Sequence, residues 1–166
     1  MPANLSVLNG YPDSIQHNIK HAIESETFIP WFKSKYPNNH KITTDKALYQ
    51  YTQELKSRFL KKSSPLKNVV YDKKIQPIQH ALGLHSYITK SHGGKTKVRN
   101  EIRIASVFQH APEALLKMIV VHELAHIKEK EHNKAFYSLC QHMEPDYHQL
   151  EFEARLFLIY NELCQR

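Results

Sequence analysis

The chain has 166 residues, 41% of them hydrophobic, and a formal charge of +7, the material of one domain with its own core. No apolar run approaches the roughly 18 residues that span a bilayer, and Met1-Pro2-Ala3-Asn4 has the look of neither a basic nor an apolar leader, so no membrane span or export is expected. Cys140 and Cys164 are too few for a disulfide framework and lack the Cys-x-x-Cys spacing of a zinc ribbon, which points to the reducing cytoplasm.

Taken in chain order, Asp13 or Ser14 is placed to cap a first helix, because Ile15, Ile19, Ala22 and Ile23 recur at helical spacing. A turn region is expected around Pro30 to Asn39. Thr43 or Thr44 then caps a second helix to about Lys62, with Leu48, Tyr51, Leu55 and Phe59 on one face and Asp45 in its first turn. Ser63, Ser64 and Pro65 end it.

From there the pattern turns to strand. Val69 to Tyr71 is a short apolar run, residues 75–90 carry Ile, Leu and Tyr between polar residues, and Gly93-Gly94 reads as a hairpin turn. Arg99 to Phe108 alternates, with Ile102, Ile104 and Ser106 on one face and Arg103 and Ala105 on the other, as in a half-buried strand.

Pro112 and Glu113 suit the first turn of a third helix, since that turn needs no amide from proline and favours an acid. Asn133 can cap a helix with Phe136, Leu139, Cys140 and Met143 inward. Pro145 breaks that helix, and residues 148–164 form the last one, apolar on more than one face. The expected fold is α+β: N-terminal helices over residues 1–65, then a small, mostly antiparallel sheet and C-terminal helices over residues 66–166, in a single domain spanning 1–166.

The chemistry centres on His122-Glu123-Leu124-Ala125-His126. Two histidines four residues apart project from one helix face and can chelate one ion. Leu115, Met118 and Ile119 lie on that same face, so the histidines continue an apolar stripe and sit at the edge of the core. A catalytic zinc site takes three protein ligands and keeps a fourth position open. His132, ten residues after His122, lies beyond a run long enough for the chain to turn back. The spacing matches His-Glu-x-x-His-x-x-Gly-x-x-His, with Glu129 where the turn-making glycine would be.

Glu123, beside the first ligand, is placed as general base toward a water at the zinc, whose pKa falls towards about 7. The bland alternative is an exposed amphipathic helix that carries His, Glu and His by chance; the stripe, the preceding strand and His132 weigh against it. Glu151 and Glu153 are candidates for a further carboxylate ligand or a partner of a histidine, though ordinary polar positions suit them better. His142, Tyr147, His148 and His92 could each stabilise an oxyanion, and spacing selects none of them.

From Arg99 to about Leu158 the chain resembles the YgjP-like metallopeptidase family, whose relatives include WLM and SprT-like proteins. The resemblance lies in Glu101-Ile102-Arg103-Ile104, Ala111-Pro112, Val120-Val121-His122-Glu123-Leu124-Ala125-His126, His132-Asn133-Lys134-Ala135-Phe136 and Met143-Glu144-Pro145-Asp146-Tyr147. It implies a zincin-like fold with His122, His126 and His132 as zinc ligands. Where members of the family usually carry a Trp-Gly-Ser-Cys-like segment, this chain has His85-Ser86-Tyr87-Ile88-Thr89.

The leading expectation is a cytoplasmic zinc peptidase that binds an extended peptide by adding it to the sheet edge along Arg99 to Val107. The competing one starts from charge. Residues 1–112 hold 17 Lys/Arg against 7 Asp/Glu, and residues 113–166 hold 6 against 9, so an anionic partner should meet the N-terminal part. A nucleic-acid-associated metal protein, a SprT-like DNA-linked protease among them, would use the basic residues between 56 and 103.

Overall fold

The computed structural model describes residues 3–76, the backbone of residues 86–88, and residues 100–166. Gly93-Gly94 and His92 lie outside the described residues. Helix α1 covers Asp13–Glu24, α2 Phe28–Lys35 and α3 Asp45–Phe59; strands β1 (Leu66–Asp72), β2 (Ser86–Ile88) and β3 (Asn100–Ala105) follow; α4 (Glu113–Ala125), α5 (Lys134–Met143) and α6 (Tyr147–Cys164) complete the order. The fold is α+β.

Asp13 is the first residue of α1 and not its cap, because the carbonyl of Pro12 already accepts the amides of Ile15 and Gln16. Asp13 still faces the positive helix end. Helix α2 takes in the first part of the turn region expected around Pro30 to Asn39: Pro30 stands in the helix's first turn, where an amide has no intrahelical partner to lose. Phe28 and Phe32, four residues apart, are both buried, and the Phe32 ring packs 4.6 Å from Tyr160 and 6.2 Å from Phe157 of α6.

Thr44 caps α3, its Oγ1 accepting the amide of Ala47 at 3.1 Å. The helix stops at Phe59, short of Lys62, because the Ser63 amide and hydroxyl both bond the Leu60 carbonyl and turn the chain.

The sheet has the order β1-β3-β2. β1 runs parallel to β3, with Val69 opposite Ile102 and Tyr71 opposite Ile104, whereas β2 is antiparallel to β3, with Tyr87 opposite Ile102. The expectation of a mostly antiparallel sheet is therefore corrected. The chain leaves β1 for the far edge and returns between the two, so its longest pairing is parallel. β3 is the central strand, hydrogen-bonded on both sides across Glu101–Arg103. A peptide cannot be added across those three residues, which lie within the edge expected along Arg99 to Val107. Ile102 and Ile104 are buried as expected; Ser106 leaves the strand in a 3-10 turn over Ser106–His110.

Pro112 precedes α4 as its cap residue, its carbonyl accepting the amides of Leu115 and Leu116. α4 carries more than a stripe: from Leu115 to Ala125 only Lys117 escapes full burial. A helix apolar all round belongs in the centre of a fold. It shares one core with Leu8, Phe28, Leu48, Ile104, Phe136 and Phe157, residues drawn from along the chain. An exposed amphipathic helix is thereby ruled out as the setting of the histidines.

Candidate metal centre

His122 and His126 come from the last turn and the C-terminal cap of α4, and both are buried. After His126 the chain turns back through Glu129, whose amide bonds the Ala125 carbonyl at 2.9 Å. Among the described residues only Glu26 and Gly10 have positive φ, so this turn needs no glycine where Glu129 stands. Asn133 then caps α5 by accepting the Phe136 amide at 2.9 Å, and His132, exposed, stands just before that cap.

The result is a convergence of three Nε2 atoms, 3.2 Å between His122 and His126, 3.1 Å between His126 and His132, and 3.3 Å between His132 and His122. His126 Nδ1 faces the Glu129 carbonyl at 2.9 Å, and a carbonyl only accepts. Nδ1 therefore carries the proton, and Nε2 presents a lone pair to the others. Lone pairs gathered this closely repel unless a cation is shared among them. With nitrogen–metal bonds of about 2.0–2.1 Å, a tetrahedral ion separates its nitrogen ligands by ~3.3 Å. The described histidines thus fit a divalent metal.

Phe136 walls the group, its ring centroid 5.0 Å from His122, 4.6 Å from His126 and 4.9 Å from His132. Glu123 is fully buried, and no group among the described residues hydrogen-bonds either of its carboxylate oxygens. Burial holds its carboxyl well above the usual glutamate range. A carboxylate left in this state costs free energy and marks a site kept for chemistry.

The other sequence candidates separate. Glu153 is buried on α6 but is bound by Lys35, Tyr36 and Gln149, away from the histidines. Glu151 pairs with Arg155 at 3.6 Å. His142 lies against Phe59, at 5.6 Å between rings, while His148 is exposed beside Tyr137 at 5.3 Å. Tyr147, named above among possible oxyanion donors, is buried, and its hydroxyl lies 2.7 Å from His122 Nδ1. Nothing in the spacing of Tyr147 announced that role, since it depends on α6 crossing back over α4.

The basic stretch between residues 56 and 103 is less open than its composition suggests. Lys56 is buried with Nζ on the Ser63 carbonyl, Lys67 pairs with Glu101 at 3.9 Å, and Arg103 pairs with Asp72 at 3.0 Å. No helix among the described residues is long and apolar enough to cross a membrane.

The chain is 52% identical over 163 residues to an Escherichia coli (strain K12) protein described as "UTP pyrophosphatase", covering 98% of each. No solved structure matches it. The model of the YgjP-like metallopeptidase domain matches residues 16–153. One description names a peptidase and the other a pyrophosphatase, and both are hydrolases. With most of its length matched by that model and half its residues shared with that relative, the chain belongs to the YgjP-like metallopeptidase-domain family.

Proposed function

We propose that this chain is a zinc-dependent hydrolase that cleaves a uridine triphosphate to the monophosphate and pyrophosphate. The observation that carries the reading is the 52% identity, across 98% of both chains, to a protein named for that activity. Two features of this chain support it. The excess of 17 Lys/Arg over 7 Asp/Glu in residues 1–112 suits a polyanionic substrate, and β3 offers no edge for an extended peptide across Glu101–Arg103.

His122, His126 and His132 would hold the zinc through Nε2. Bound there, the ion supplies Lewis acidity and lowers the pKa of water. Glu123 takes the proton from the attacking water. The water oxygen bonds to the α-phosphorus, the bridging bond from that phosphorus to the β-phosphate oxygen breaks, and Glu123 returns a proton to the leaving pyrophosphate. Its burial suits this work, because a carboxylate with raised proton affinity accepts a proton more readily. Phe136 keeps one side of the histidines dry, and the exposed His132 marks the open side.

The second reading is the peptidase, favoured by the family description and by the His-Glu-x-x-His helix. The same histidines and Glu123 would then serve attack on a carbonyl carbon. Zinc-loaded protein offered UTP, CTP and an unfolded protein separates the two. Pyrophosphate release from UTP is expected, and Glu123→Gln should lower it about 10²–10⁴-fold while zinc stays bound. Proteolysis without pyrophosphate release would overturn the first reading in favour of the second.

A further inference from the structure

We propose that Tyr147 and Glu151 form a relay that fixes the metal-binding tautomer of His122, with Arg155 anchoring its far end. The proposal rests on reading the three histidines as a metal site. If Nε2 of His122 is to face a cation as a lone pair, Nδ1 must carry the ring proton. The group in front of Nδ1 is the Tyr147 hydroxyl, 2.7 Å away and fully buried. A hydroxyl that accepts from Nδ1 must send its own proton elsewhere.

Glu151 lies one helical turn further along α6 on the same face as Tyr147, and it pairs with the Arg155 guanidinium at 3.6 Å. The relay takes this carboxylate, on the hydroxyl's own helix, as the acceptor it needs.

Arg155 is itself fixed by structure distant in sequence. Its Nε donates to the Val7 carbonyl at 3.1 Å, and its guanidinium lies 5.2 Å from the centre of the Tyr11 ring. The chain of interactions runs from the N-terminal segment through Arg155, Glu151 and Tyr147 to His122. Glu151 thus acts on the histidine through an interposed phenol instead of touching it. An imidazole whose Nδ1 proton is drawn toward a carboxylate is a stronger donor at Nε2, and partners of this kind typically change metal affinity 10–100-fold.

The test measures zinc affinity by competition with a chromophoric chelator, and the visible absorption of the Co²⁺-loaded protein. Tyr147→Phe keeps the ring and removes the hydroxyl; it should weaken zinc binding about 10–100-fold and shift the Co²⁺ bands. Glu151→Gln should weaken it by a smaller factor in the same direction. In the double variant the loss should equal that of Tyr147→Phe alone, because Glu151 acts only through the hydroxyl. Tyr160→Phe, on the same helix, should leave affinity and spectrum unchanged. Wild-type affinity in Tyr147→Phe, or additive losses in the double variant, would overturn the relay. Should Tyr147→Phe not fold, Glu151→Gln decides, and unchanged affinity there overturns it. His132→Ala separates the two possible failures: wild-type zinc binding in that variant sinks the metal site itself, whereas lost binding there beside unchanged binding in Tyr147→Phe sinks the relay alone.

Discussion

Glu123 and Phe136 show how much of the site is decided by single side chains. A carboxylate buried on α4 with no hydrogen-bond partner among the described residues is expensive, and Phe136 packs against the histidines on either side of it in the chain. Truncating Phe136 removes a fully buried ring that touches all three histidines. Phe136→Ala should destabilise the protein by about 3–5 kcal/mol, measured by urea denaturation of the metal-free form, and should weaken zinc binding in the chelator assay beyond what the lost stability explains. At this scale the sequence was informative where function is local in the chain. His122, Glu123 and His126 lie on one turn, and His132 is within reach of a short loop. Tyr147 was only one name among four, because its distance of 25 residues from His122 is closed by the crossing of two helices.

Among the elements, periodicity located α1, α3, α4, α5 and α6 well, since each carries apolar residues at helical spacing between recognisable stops. α2 was missed because a turn region was expected from about Pro30 onward, although a proline in the first turn breaks nothing. The parallel pairing of β1 with β3 was equally hidden. Alternation reports which face is buried and says nothing of which neighbour a strand takes. Two predictions belong here. Asn133→Ala removes the cap of α5, and should cost about 1 kcal/mol while loosening His132 and lowering zinc affinity measurably.

The other prediction concerns the clamp between α2 and α6. Burial alone would raise the Glu153 carboxyl, but the hydrogen bonds from Lys35, Tyr36 and Gln149 prevail and hold it below its ordinary value of 4.5. A carboxyl with a folded pKa below its unfolded one stabilises the protein above about pH 4.5, and that stability drains away as pH falls through the lower folded value. Melting temperatures followed from pH 7 downward should therefore drop below about pH 4.5 less steeply in Glu153→Gln than in the wild type.

For the whole molecule, charge is the dominant long-range property. The net positive N-terminal part can draw a polyanion in before any short-range contact forms, and salt screens such attraction over about 8–10 Å at 0.10–0.15 M. On the proposed reading, the KM for UTP should rise with added NaCl while kcat holds, in initial-rate measurements of pyrophosphate release; a KM indifferent to salt would show that the charge excess plays no part in recruitment. Composition made that asymmetry visible from the outset. It could not show that Lys56 is buried, or that Lys67 and Arg103 each stand beside an acidic partner, Glu101 and Asp72.

The N-terminal segment adds a consequence of a more practical kind. Val7 and Leu8 are buried, the Asn4 amide bonds Glu162, and the Val7 carbonyl and Tyr11 ring grip Arg155. A fusion partner or affinity handle joined ahead of residue 4 would load the same guanidinium that steadies Glu151. Protein purified in that form would be prone to arrive short of metal for reasons unrelated to its histidines. A handle placed after the exposed Arg166 leaves that grip untouched, and the metal content of the two preparations would make the difference plain.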